Sequence, residues 1–221
     1  MKVRTLEKLE QLISDDVSWR KKELSVLDGL IGNGRTPASR AALRASIPLL
    51  YAHWEGAIKN ICHWYLCYLA AQALPLDEFK AEIVGYTLKG KFAALSNSRR
   101  PIVFSEAVRM IREEADKRAR IPTERDAIIT ESNLSYAVLC DLLMSIGCDT
   151  SGFDRYQDLI DSQLLNIRNR IAHGEDEYPR LPEWSDLKEV IVSLIDQVAT
   201  QVLNASVTGQ FRRVAPSPAA G

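Results

Sequence analysis

Residues 167–175, IRNRIAHGE, put Arg168, Asn169, Arg170 and His173 within six positions of one another. Imidazole titrates near neutrality, so a histidine can take a proton or give one. A guanidinium forks onto two oxygens of a phosphate or carboxylate and keeps its charge at any working pH. Together they could move protons beside a gripped anion. The other account is an ordinary helix terminus, where the dipole favours a cationic histidine and arginines are common. Residue types alone leave both open.

What the group can do depends on the helix beneath it. At about 100° per residue, Ile160, Leu164, Ile167 and Ile171 fall in a narrow arc that reads as the core face. Ser162, Asn166, Asn169 and His173 take the opposite side, with Leu165 and Ala172 beside them and Arg168 and Arg170 on the flanks. Asn169 and His173 are four apart and share a face. Arg168 lies about 140° from His173 on an ideal helix, so its side chain must reach round or the last turn must tighten. Gly174 suits the left-handed closure of such a helix. The outer strip is too apolar for idle surface and too polar for core, as a homodimer seam around a polar site is.

The rest of the chain is helical in its spacing. Val3, Leu6, Leu9, Ile13, Val17, Leu24 and Leu27 mark a first helix that GLIGNG ends. A second runs from the Thr36-Pro37 turn to about Leu74, with Ile47, Tyr51, Trp54, Ile58, Ile61, Tyr65 and Tyr68 as its apolar stripe. Pro48 should kink it. Residues 76–96 and 104–118 predict two amphipathic helices separated by SNSRRP, and AIIT (127–130) predicts a short extended segment. LSYAVLCDLLMSIG is a helix stopped by Gly147, followed by helices over 153–173 and 183–207. The expectation is all-α: six to seven helices in one domain, 1–208, and an unstructured tail, 209–221.

Composition bounds the function. The 221 residues carry a net charge of −1, which argues against a protein that coats nucleic acid non-specifically. Residues 80–125 nonetheless hold eleven basic side chains against six acidic ones. A solvated helix surface accounts for that bias too, and the acids among Arg109–Arg120 weaken a DNA-reading helix. Cys62, Cys67, Cys140 and Cys148 lack CxxC spacing and read as reduced core thiols. MKVRTLEKLEQL has no apolar signal core, and the apolar run at 64–76 is too short to span a bilayer, so a cytoplasmic protein off the membrane is expected. No phosphate-binding glycine loop occurs. His63 with Cys62 and Cys67 matches no common zinc spacing, and His53 and His63 read as helix-contact residues. Glu55 and Lys59 are four apart in the order that favours a helical ion pair.

Arg168-Asn169-Arg170-Ile171-Ala172-His173, followed by Gly174 at a helix end, resembles the RxxxxH motif of HEPN domains. IPLLYAHWEGAIKNICHWYL and SNLSYAVLCDLLMSIGCD resemble segments of a prokaryotic HEPN subfamily, so the likeness spans most of the chain. The resemblance implies a HEPN-like helical bundle and a metal-independent endoribonuclease without cofactor. It implies a homodimer whose motif helices pool Arg168, Asn169 and His173 in one cleft, with Arg170, Glu55 and Lys59 binding RNA or standing behind the site. A toxin or phage-defence role, restrained by a companion protein, comes from the same likeness. The alternative is a non-catalytic helical module that dimerises, docks a partner or binds nucleotide.

Overall fold

Three long helices make the frame: α1 (Leu6–Ile31), α2 (Pro37–Ala71) and α7 (Leu181–Thr208), each packed on the other two. The computed structural model describes residues 2–96, 100–130 and 133–214 (for 94–96, the backbone alone). Thr5 and Thr36 start the first two helices. Their hydroxyls accept from the amides of Lys8 at 3.2 Å and Ser39 at 3.0 Å, filling donors that a helix start leaves open. Every member of the stripe from Ile47 to Tyr68 is buried. The second helix runs on through Pro48, which offers no amide to the Arg44 carbonyl and so removes one rung of the ladder there.

By length and composition α7 could cross a membrane, with a mean hydropathy of 1.4 over its most apolar stretch. The other long apolar run, 64–76, spans the end of α2 and the turn that follows it. Trp184, Leu187, Ile191, Leu194, Ile195, Val198 and Val202 are buried, and the helix forms the third wall of the core. Between α1 and α2 lies a buried polar knot. Asp16 accepts from Arg20 Nε at 2.7 Å and from Asn60 at 2.9 Å, and Arg20 also donates to the His53 carbonyl at 3.2 Å. Gly56 makes room for it: a Cβ there would stand 3.0 Å from an Arg20 nitrogen. His53 completes the knot, with Nε2 2.9 Å from the Glu23 carboxylate. This is the helix contact expected of it.

The shorter helices α3 (Ala81–Ser96), α4 (Pro101–Glu114) and α5 (Tyr136–Ser145) follow, with α3 packed on both the others. Residues 76–78 form a separate 3₁₀ turn, and α4 stops four residues before the expected 118. The reason is pairing across the chain: Leu76 donates to Lys117, Asp77 to Ala115 and Ala119 to Leu74, each at 2.9 Å. Backbone groups used that way cannot continue a helix. Of SNSRRP, residues 97–99 lie outside the described residues. Ile128 is extended, as AIIT suggested, but it finds no partner strand; the described residues contain only two isolated bridges. Gly147, at φ +81°, ends α5 as expected. All four cysteines are free and buried.

The expected tail begins with packed residues. Gly209 closes α7 at φ +68°, Phe211 is buried against Phe79 and Tyr68, and the Arg213 amide donates to the Glu78 carbonyl at 2.7 Å. Residues 215–221 lie outside the described residues. One buried apolar cluster takes in side chains from Val3 to Phe211.

Candidate active site

The segment expected as one helix over 153–173 is built in three windings. A 3₁₀ turn at Asp154–Tyr156 leads through a short α-helical step at 157–158 to a π-helix over Leu159–Asn166, and Ile167–Ala172, α6, is α-helical again. Bonds of a π-helix reach one residue further than those of an α-helix, so its turns are wider and ideal spacing does not carry across it. The inner face still holds: Ile160 and Leu164 are fully buried, while Ile167 and Ile171 are partly so. Asp161, on the π segment, accepts from the Tyr136 amide at 2.8 Å and so ties the motif to the start of α5. Gly174, at φ +81°, closes α6, with its amide on the Ile171 carbonyl at 3.0 Å.

Arg168 points inward. Its guanidinium carbon sits 3.9 Å from the centroid of the Tyr51 ring, and Nη2 donates to Asn133 Oδ1 at 2.8 Å. Nε is buried without a hydrogen-bond partner, which leaves unfilled donor capacity on the fork. Tyr51 is itself pinned, because its hydroxyl accepts from the Leu134 amide at 2.7 Å. Burial pushes that phenol's pKa up.

One turn along α2, Glu55 Oε1 accepts from the Thr130 hydroxyl at 2.5 Å and pairs with Lys59 Nζ at 3.0 Å. Burial raises the Glu55 carboxyl, but Thr130 and Lys59 outweigh it and hold the group below its ordinary value. Glu55 is therefore a carboxylate at neutrality and cannot serve there as a proton donor. Arg168, Tyr51, Glu55, Lys59, Thr130 and Asn133 thus form one polar layer between α2, the motif, and the residues Thr130, Asn133 and Leu134. Glu55 and Lys59 make no hydrogen bond or ion pair with Arg168, Asn169, Arg170 or His173; Glu55 lies one turn from Tyr51, on whose ring Arg168 stacks.

His173 points the other way. It is exposed at the end of α6, its amide donates to the Asn169 carbonyl at 2.9 Å, and its imidazole has no hydrogen bond among the described residues. Asn169 is half-buried and its side chain is equally unengaged. No hydrogen bond or ion pair joins Arg168 to His173 within the chain. Arg170 is engaged instead by Glu175 at 2.9 Å and Glu177 at 2.5 Å, so it braces the turn after the motif. A phosphate would have to compete with two carboxylates for it.

Tyr51, Asn133 and Thr130 escaped the sequence reading as site residues. Tyr51 was assigned to the core, where it does lie, and its ring face carries the second role. Asn133 sits in SNLSYAV, a segment that resembles the HEPN subfamily, and that likeness was the signal for it. Among the described residues no three His, Cys, Asp or Glu side chains converge to hold a metal ion. Cys67 lies 3.8 Å from His63 Nε2, and burial raises both the Cys62 and Cys67 thiols, away from the thiolate that binds zinc.

No curated protein matches the chain, and no solved structure does. A protein family does, over residues 15–204, a stretch that holds α2, the 128–134 segment and the whole motif. With its all-α bundle and RNxxAHG at a helix end, the chain belongs to the RiboL-PSP-HEPN family.

Proposed function

We propose that the protein is a metal-independent endoribonuclease that works as a homodimer, each site taking Arg168 from one protomer and His173 from the other. Family membership supports ribonuclease activity of the HEPN type in general terms. The observation that carries the finer reading is the divergence of the two side chains: a restrained guanidinium with an unpartnered Nε–H faces inward, and an unengaged imidazole is exposed. Each is half a site. A two-fold axis sets each motif against its twin and can supply the missing half.

The chemistry uses the nucleophile RNA carries. His173 takes the 2′-OH proton or, as imidazolium, protonates the leaving 5′-oxygen. The 2′-oxygen forms a bond to phosphorus as the P–O5′ bond breaks, and Arg168 meets the charge that builds on the phosphoryl oxygens. Asn169, one turn from His173, orients the imidazole or a phosphate oxygen. The products end in 2′,3′-cyclic phosphate and 5′-OH. A toxin or phage-defence role in the cytoplasm, held in check by a companion protein, belongs to the same proposal.

One observation favours a second reading. Arg168, stacked on Tyr51 and bonded to Asn133, is placed as a structural arginine would be; a non-catalytic module would keep that contact and cut nothing. Purified protein incubated with RNA in EDTA separates the two. Cleavage to cyclic-phosphate ends, abolished by His173→Ala with the fold intact, is the expected result. An intact substrate, or cleavage lost on chelation, contradicts the first reading.

A further inference from the structure

An open groove of about 850 Å³ lies at the end of the motif helix. One wall is the start of α2, where Arg40 and Arg44 project one turn apart with Ala41 and Ala45 between and beyond them. The other wall is Ile171, from α6, with Asp176 and Tyr178 from the turn that follows it. The walls differ in chemistry. Arg40 is exposed and has no ion pair among the described residues. Arg44 is committed: it donates to the Glu177 carbonyl at 2.6 Å and lies 5.3 Å from the Tyr178 ring centroid. The turn is thereby fastened to α2, and Arg170 fastens it again through Glu175 and Glu177.

Tyr178 is the consequence of that fastening. It is 57% exposed, yet it is backed by a cation and held on a braced turn. An aromatic ring kept in water at a fixed angle offers a face for another flat ring. The alanines leave space opposite it, and Asp176 offers an acceptor that repels phosphate but receives an N–H from a base edge. Arg40, across the groove, supplies the cation that a phosphate needs. Three residues span at most about 11 Å, so Asp176 lies within that reach of His173.

We infer that this groove is a nucleotide subsite for single-stranded RNA. Tyr178 stacks one base, Asp176 accepts from its edge, and Arg40 pairs with the adjoining phosphate, on the strand whose phosphodiester His173 would serve by proton transfer. The inference takes its ligand from the nuclease reading, since the strand that reaches His173 is the one the groove would hold. Arg44 is a positioning residue here, acting through Tyr178.

The test is fluorescence anisotropy of a labelled, 2′-O-methylated RNA oligonucleotide with the full chain, run beside cleavage of the unmodified oligonucleotide. Tyr178→Ala should weaken binding about tenfold, because a stacked base is lost, while Tyr178→Phe keeps it. Arg40→Ala should lower the slope of log K against log salt by about 0.7, the value for one single-strand phosphate contact. Both side chains are exposed, so thermal melts should match the parent protein. Unchanged affinity and salt slope in Arg40→Ala and Tyr178→Ala overturn the subsite, even if the protein cleaves RNA. Weakened binding with no cleavage by the parent protein upholds the subsite and removes the nuclease instead.

Discussion

Tyr51 carries two loads that substitution can separate. Its ring lies under the Arg168 guanidinium at 3.9 Å, a partly desolvated cation–π contact worth about 1–2 kcal/mol. Its hydroxyl satisfies the Leu134 amide at 2.7 Å, and losing that acceptor strands a buried donor at a cost of about 1–3 kcal/mol. Tyr51→Phe keeps the ring and drops the hydroxyl; Tyr51→Leu drops both. A double-mutant cycle of Tyr51→Leu with Arg168→Met, read by urea denaturation, should give a coupling of about 1 kcal/mol. The same cycle with Tyr51→Phe should give a smaller one, because the stack survives. In cleavage assays Tyr51→Leu should lower kcat more than it raises KM, since the guanidinium is released rather than removed. Additivity of the Leu cycle within about 0.5 kcal/mol would refute the claim that Tyr51 holds Arg168 in place.

Asp16→Ala strands Arg20 in a buried site and should destabilise the fold by about 3–5 kcal/mol, measured by chemical denaturation; a loss under about 1 kcal/mol would show that the knot between α1 and α2 is not a structural hub. Burial, opposed in part by Glu23, holds His53 below its ordinary pKa, and burial lowers His63 too. The unfolded chain then binds more protons than the folded one below about pH 6.5, so stability is full above that value and falls as pH drops through the folded pKa values. Melting temperature should decline from about pH 7 to pH 5 and decline less in His53→Gln; a flat profile would contradict the assignment.

The long elements were legible because burial imposes a period on them. The stripe Ile47 to Tyr68 and the stop at Gly147 needed no knowledge of the partner helices. The motif was legible as residue types, and so was the inner face of Ile160, Leu164, Ile167 and Ile171. The direction of Arg168 was not. Angles on an ideal helix put it on a flank, whereas the ring of Tyr51, more than a hundred positions away in the chain, and the amide of Asn133 draw it inward. The π-helix was equally hidden, since Ile160 and Leu164, four apart, fit the inner face of an α-helix just as well. Arg170 reads as an RNA-binding or second-tier residue because the acids that claim it, Glu175 and Glu177, lie beyond the helix end, and only a folded turn brings them round. The same holds for Phe211, which reads as tail until Phe79 and Tyr68 are seen around it.

The central claim is that Arg168 and His173 act across a dimer, and subunit mixing tests it most directly. Arg168→Ala and His173→Ala proteins, each inactive alone, are co-refolded and assayed for RNA cleavage. Random pairing makes half the dimers mixed, each with one intact site of two, so about a quarter of parent activity should return. No recovery, with mixed dimers verified by mass, would mean that the two side chains do not cooperate across the axis.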